Sequence, residues 1–126
     1  MKIFLSVAVF LGVCFVLLAG EVITTSQAIQ YAGTNQTVSG RVVSVRYAAG
    51  SKGKPTFLNL DKPYPQQIFT VVIWGSDRSK FPEPPEKLYH GKKIRVTGLI
   101  KVYKGIPEIT VSSPQQIEVE ETSGTR

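Results

Sequence analysis

In the stretch Thr56-Phe57-Leu58-Asn59-Leu60-Asp61, Leu58 and Leu60 alternate with Phe57, Asn59 and Asp61. A period of two places successive side chains on opposite faces, so a strand is predicted with a leucine face in a core and a Phe-Asn-Asp face outside it. Upstream, Thr37 to Tyr47 reads as a longer strand. Gly40 inside it predicts a bend or bulge, the device that lets one strand serve two parts of a curved sheet. Ala48 to Pro55, rich in Gly, Ser and Lys, is the loop between the two. Downstream, Lys62-Pro63-Tyr64-Pro65 turns the chain into a third strand, Gln67 to Trp74, apolar on both sides. Its phase is ambiguous. If Thr70, Val72 and Trp74 point inward, Phe69 faces outward, and that phase is the expectation; Trp74 is then a core or end residue.

Ser76 to Gly91 breaks the strand pattern. Pro82, Pro84 and Pro85 precede Glu86-Lys87-Leu88-Tyr89, which predicts one helical turn after a proline start. Lys92 to Tyr103 is a fourth strand with Ile94, Val96, Gly98, Ile100 and Val102 on one face. Lys104-Gly105 predicts a tight hairpin into a fifth strand, Ile106 to Ser112, and Pro114 to Glu121 adds a short edge stretch. At the other end, Glu21 to Thr25 reads as a linker and Ser26 to Ala32 as a short helix. Thr25 or Ser26 would cap that helix, and Gly33 would end it in the left-handed region.

Three strands, a connection holding a short helix, then a hairpin is the order of an OB-fold. The fold class expected is therefore all-β: a five-stranded Greek-key OB-fold barrel, with a short N-terminal helix and a short helical segment between the third and fourth strands. The domain is expected over 26–120, with a flexible tail at 121–126. A small β-sandwich or SH3-like barrel is the alternative.

The length of 126 residues argues for one such domain, and the net charge of +6 favours polyanions such as nucleic acid, anionic glycans or a lipid surface. Met1-Lys2, the apolar run Ile3 to Leu18 and the small residues Ala19-Gly20 are the parts of an export signal. Residues 1–20 are expected to be a cleaved signal peptide or, alternatively, a retained anchor, since about 18 apolar residues can span a bilayer. The expected location is periplasmic or secreted. Losing Lys2 with the leader lowers the charge from +6 to +5. Cys14, the one cysteine, lies in this leader, so a disulfide framework, a thiolate metal site and a cysteine nucleophile are all excluded from the mature chain.

A binder of single strands needs flat rings for bases and cations for the backbone. The candidate rings are Tyr47, Phe57, Phe69 and Tyr103, and Asn59 shares the face of Phe57. The candidate cations are Arg41, Arg46, Lys52, Lys54, Lys101 and Lys104. They fall on the first strand, the loop after it and the hairpin between strands four and five, the elements that bracket an OB binding face. His90 is the one histidine and has no partners at metal-ligand or triad spacing; Asp61, Asp77 and Glu108 are isolated carboxylates. No cofactor, no metal site and no enzyme activity are expected.

Four pieces of the chain resemble OB domains of the anticodon-binding type, as in aspartyl-type tRNA synthetases and related replication proteins, and also small exported bacterial proteins carrying this domain alone. They are Gly33 to Val42, Thr56 to Asp61, Gly91-Lys-Lys-Ile-Arg-Val-Thr-Gly98 and Glu108-Ile109-Thr110-Val111. The resemblance implies that Phe57 stands where such domains place a base-stacking ring, and Arg46 where they place a basic contact. Asn59 and Thr110 depart from the acidic residues of the synthetase pattern.

The function expected is an exported OB module that binds single-stranded DNA or RNA with little sequence preference. The alternative is an envelope module for a protein or oligosaccharide. Membrane contact is expected only through residues 1–20.

Overall fold

The computed structural model describes residues 21–120. The leader read at 1–20 and the tail read at 121–126 lie outside the described residues. Seven strands run through the described part: β1 (Val22–Thr24), β2 (Asn35–Tyr47), β3 (Thr56–Leu60), β4 (Thr70–Ile73), β5 (Lys93–Tyr103), β6 (Ile106–Thr110) and β7 (Ile117–Val119). All seven belong to one sheet, ordered β1-β2-β3-β4-β6-β5-β7, with β2 also paired to β5. That extra pairing bends the sheet round into a ring-like arrangement.

Two strands lie outside the five expected. The edge stretch near the C-terminus forms β7, antiparallel to β5, with Ile117 opposite Val96. The segment read as a linker instead forms β1, parallel to β2, with Ile23 opposite Val38 and buried. Three residues are too few to show a period, so nothing but Ile23 marks them as a strand.

The long strand β2 belongs to both parts of the ring. Asn35 to Arg41 pair with β5, and Val42 to Tyr47 pair with β3, with the register shifting between Val42 and Ser44. The irregularity expected at Gly40 therefore falls just beyond it. Gly40 serves close approach: a Cβ there would stand 2.9 Å from Thr25 Cγ2 and 3.0 Å from Asp61 Oδ2. Asp61, at φ 69°, completes this corner. Its carboxylate accepts the Arg41 amide at 2.9 Å and the Thr25 hydroxyl at 2.6 Å.

The core lies inside the ring. Leu58 and Leu60 are fully buried, as their alternation predicts, together with Val38, Val42, Ile94, Val96, Ile100 and Ile109. Phe69, Val71 and Ile73 join the same core cluster. The phase expected for the third strand is thus reversed. A buried phenyl removes far more apolar surface from water than a threonine does, so Phe69 turns in and Thr70 turns out.

The N-terminal helix is a 3-10 turn, Ala28–Tyr31, shorter than expected. Ala28 is fully buried while Ile29 is exposed. Thr25 does not cap it with its side chain, because that hydroxyl is committed to Asp61; Thr24 Oγ1 accepts the Gln27 amide at 3.2 Å instead. Gly33 is left-handed, at φ 87°.

Between β4 and β5 run a 3-10 segment, Gly75–Lys80, and α1 (Pro85–Tyr89), which has proline at its start. Phe81 and Tyr89 pack edge to face at 6.2 Å. His90 flanks the C-terminal end of α1.

Candidate functional site

Outward-facing residues of β2, β3, β4 and β6, with the tip of the β5–β6 hairpin, line one groove. Its volume is about 550 Å³, and it is bounded by Ser44, Arg46, Phe57, Asn59, Tyr64, Gln67, Thr70, Tyr103, Lys104, Ile106 and Glu108, with Val45 at its side. Strand register explains why these meet. Arg46 stands opposite Phe57, and Ser44 opposite Asn59, across β2 and β3. Asn59 stands opposite Thr70, and Thr70 beside Glu108. Tyr103 faces Ile106 across the hairpin. Lys104 and Gly105 turn that hairpin at φ 51° and 82°, both left-handed, as the sequence predicts.

A hydrogen-bonded row forms the floor. Thr70 Oγ1 donates to Asn59 Oδ1 at 2.8 Å, and Asn59 Nδ2 donates to Ser44 Oγ at 3.0 Å. Ser44 Oγ also accepts the Tyr64 amide at 3.1 Å, which fixes the loop carrying the Tyr64 ring over the groove. Gln67 Oε1 is buried and has no hydrogen-bond partner among the described residues. Rings stand at the rim: Phe57 half-buried, Tyr64 68% exposed and Tyr103 59% exposed. Lys104 Nζ lies 5.4 Å from the Tyr103 ring centre.

Glu108 is the one carboxylate in this lining. Burial pushes its carboxyl above the ordinary 4.5, and the charge of Lys101 pulls it partly back. Lys101 itself is exposed and sits opposite Glu108 across β5 and β6, beside the groove.

Of the residues singled out in the sequence, Arg46, Phe57, Asn59, Tyr103 and Lys104 come together in the groove. Lys101 flanks it. Five do not belong to it: Phe69, Arg41, Tyr47, Lys52 and Lys54. Phe69 is in the core, as described. Arg41 precedes the register shift in β2, on the half paired with β5, and its Nη1 donates to the Gly91 carbonyl at 2.8 Å.

Tyr47 follows Arg46 directly, so the pleat turns it to the other face. There the Arg78 guanidinium lies 3.5 Å from its ring centre. The same guanidinium donates to Thr56 Oγ1 and to Glu86, both at 2.7 Å. Burial alone would raise Glu86, but the hydrogen bond and charge of Arg78 outweigh it and hold the carboxyl below 4.5.

Lys52 and Lys54 are exposed on the β2–β3 loop, outside the groove lining. The Gly75 amide donates to the Gly53 carbonyl at 2.9 Å, which ties this loop to the end of β4. Trp74, expected as a core or end residue, is 42% exposed there, just past the end of β4 and outside the core.

Sequence reasoning missed Tyr64, Ser44, Gln67, Thr70 and the place of Glu108. Tyr64 stood in a Pro-Tyr-Pro turn, where the prolines drew the reading; an aromatic between two turn-formers was the available signal. Among the described residues, no group of three or more His, Cys, Asp and Glu is placed to hold a metal ion.

The profile of OB-fold nucleic acid binding domains of the tRNA anticodon type matches residues 36–119. No curated protein matches the sequence. Among solved structures, the aspartyl-tRNA synthetase of Entamoeba histolytica aligns with a TM-score of 0.53 and 20% identity, covering 90% of this chain and 24% of that one. The asparaginyl-tRNA synthetase of Pyrococcus horikoshii aligns at 0.52 and 16%, covering 80% and 23%. An OBody bound to hen egg-white lysozyme aligns at 0.50 and 18%, covering 79% and 93%. The chain thus spans about a quarter of the synthetases it resembles, and nearly all of the OBody.

Proposed function

The chain belongs to the family of OB-fold nucleic acid binding domains of the tRNA anticodon type, and on that premise we propose that it binds single-stranded nucleic acid in this groove with little sequence preference. The observation that carries the reading is the cross-strand pair Arg46 and Phe57, flanked by the exposed rings of Tyr64 and Tyr103. A ring accepts any base on its π-face, and a neighbouring cation meets the phosphate. Low preference is supported by the floor. The Asn59 amide is only 4% exposed and is oriented by its bonds to Ser44 and Thr70, which leaves it poorly presented to read a base edge.

The protein acts as a binding module without catalysis. Residues 1–20 have the composition of an export signal, so the ligand is met outside the cytoplasm. Recovery of protein beginning just after Ala19 or Gly20 from the envelope or the medium supports this. Recovery only of cytoplasmic protein that retains Met1 rejects it.

Fluorescence anisotropy of a labelled single-stranded oligonucleotide, titrated at low salt, tests the binding reading. Saturable binding that weakens as salt rises and weakens again in Phe57→Ala is expected. An absence of saturable binding rejects it.

A further inference from the structure

The groove does not exhaust the aromatic surface of this face. Trp74 follows β4 with the same parity as Thr70 and Val72, so it continues the outward row past the last pairing of the strand. Val72 stands opposite Phe57 and lies outside the core cluster, yet only 3% of it is exposed. The side chains flanking it on the outer face therefore close over it.

Trp74 has a built seat. A Cβ on Gly53 would stand 2.9 Å from both Cε3 and Cζ3 of the indole, so the ring rests on a position that only glycine can occupy, and Gly53 is also left-handed at φ 78°. One side of the ring is covered by this loop, while 42% of the residue remains open to solvent. Lys52 and Lys54 flank Gly53 in sequence and are both exposed, and Lys54 Cβ lies 2.9 Å from where a Cβ of Gly75 would stand. A supported indole whose supporting loop carries two exposed lysines offers the same kinds of group as Phe57 with Arg46.

We infer that Trp74, with Lys52 and Lys54, forms a second stacking subsite that extends the single-strand track beyond the groove, along the line from Tyr64 through Phe57. The inference rests on the groove reading given above. From Val72 to Trp74 the chain advances two residues, about 6.6 Å. Phe57 lies one strand across from Val72, about 4.8 Å away, so its ring and that of Trp74 stand further apart than the roughly 3.4 Å rise of a stacked strand and each take a separate base, with the lysines on the phosphates beyond them.

Trp74 is the one tryptophan of the chain, so its emission reports the subsite alone. The test uses unlabelled and end-labelled oligothymidylates of about three and about eight nucleotides, a range that brackets the smaller OB site sizes. The longer oligonucleotide is expected to quench Trp74 emission saturably, at the concentration where anisotropy saturates. The shorter is expected to bind with less quenching. Trp74→Ala is expected to weaken the longer ligand on the order of tenfold and leave the shorter one nearly unchanged, while Trp74→Phe restores most of the loss.

If the longer oligonucleotide binds by anisotropy with Trp74 emission unmoved, the subsite is wrong and the groove stands. If neither oligonucleotide binds saturably, the groove reading has failed and takes the subsite with it. Because wild-type emission is itself a readout, a poorly folded Trp74→Ala protein does not decide the matter.

Discussion

The Thr25 hydroxyl donates to Asp61 Oδ2 at 2.6 Å, joining the segment after β1 to the residue that follows β3. Asp61 also receives the Arg41 amide, so one carboxylate fastens three stretches of chain beside Gly40. Asp61→Ala removes both acceptors and leaves a non-glycine residue at φ 69° without a side chain suited to it. It should destabilise the protein by about 2 kcal/mol, and Thr25→Val by about 1 kcal/mol. Urea denaturation followed by circular dichroism measures both, and equal stability of Asp61→Ala and wild type would refute this role.

Phe57→Ala should weaken single-strand binding by about 1–3 kcal/mol, and Phe57→Tyr by much less, because the stacking surface is retained. The unfolding midpoint should change little by comparison, since Phe57 lies on the outer face and is only half-buried. A large loss of stability with unchanged affinity would assign the ring to packing.

Arg46→Gln and Lys104→Gln should each reduce the slope of log affinity against log salt by about 0.7, the value for one counterion released from a single strand. Arg41→Gln should leave the slope unchanged, because Arg41 lies on the other half of β2 with its guanidinium on Gly91. Titrations at three salt concentrations separate the two outcomes.

Glu108 is held above 4.5 by burial, with Lys101 opposing. A carboxylate whose folded value is raised favours the folded state while it is protonated, and that contribution is lost as pH rises through the folded value. Glu108→Gln should therefore be more stable than wild type at neutral pH, with the difference shrinking as pH falls through the raised folded value towards 4.5 and gone below it. The substitution also removes a negative charge from a groove proposed to hold phosphates, so affinity should rise at neutral pH. Thermal melts and anisotropy at neutral and acidic pH measure both changes; weaker binding by the variant would instead give Glu108 a direct hydrogen bond to the ligand.

Arg78 stacks on Tyr47 and bridges Thr56 to Glu86, which ties the connection before α1 to the β2–β3 hairpin. Arg78→Ala should cost about 2 kcal/mol of stability. Arg78→Lys should recover only part of it, because an ammonium cannot stack flat and fork at once. Denaturant midpoints of the two variants test the order.

Most of the strand plan was legible because alternation in Thr56 to Asp61 and in Lys92 to Tyr103 has one clear apolar face. Phe69 was not, because the third strand is apolar on both sides and alternation then carries no phase. Its direction is set by partners distant in sequence, among them the Thr70–Asn59 hydrogen bond. Arg46 and Tyr47 are adjacent, and a pleated strand cannot aim both at one groove; period two alone argues against the pair. Arg41 failed for a different reason, since the register shift after Val42 separates it from the groove half and is not written in residue type. Tyr64 belonged to a turn whose fixing contact is Ser44, twenty residues back.

Because the thirteen residues of β2 run as one strand from the β5 pairing, through the register shift after Val42, into the groove wall, that wall is tied along its length to the rest of the ring. Whatever it grips meets a surface that moves only with the whole body, so accommodation of ligands of different shape falls to the rims, to rings such as Tyr64 and to the long cationic side chains. Fine tuning of such a protein in evolution would be sought at those tips, and the strand beneath them would tolerate little.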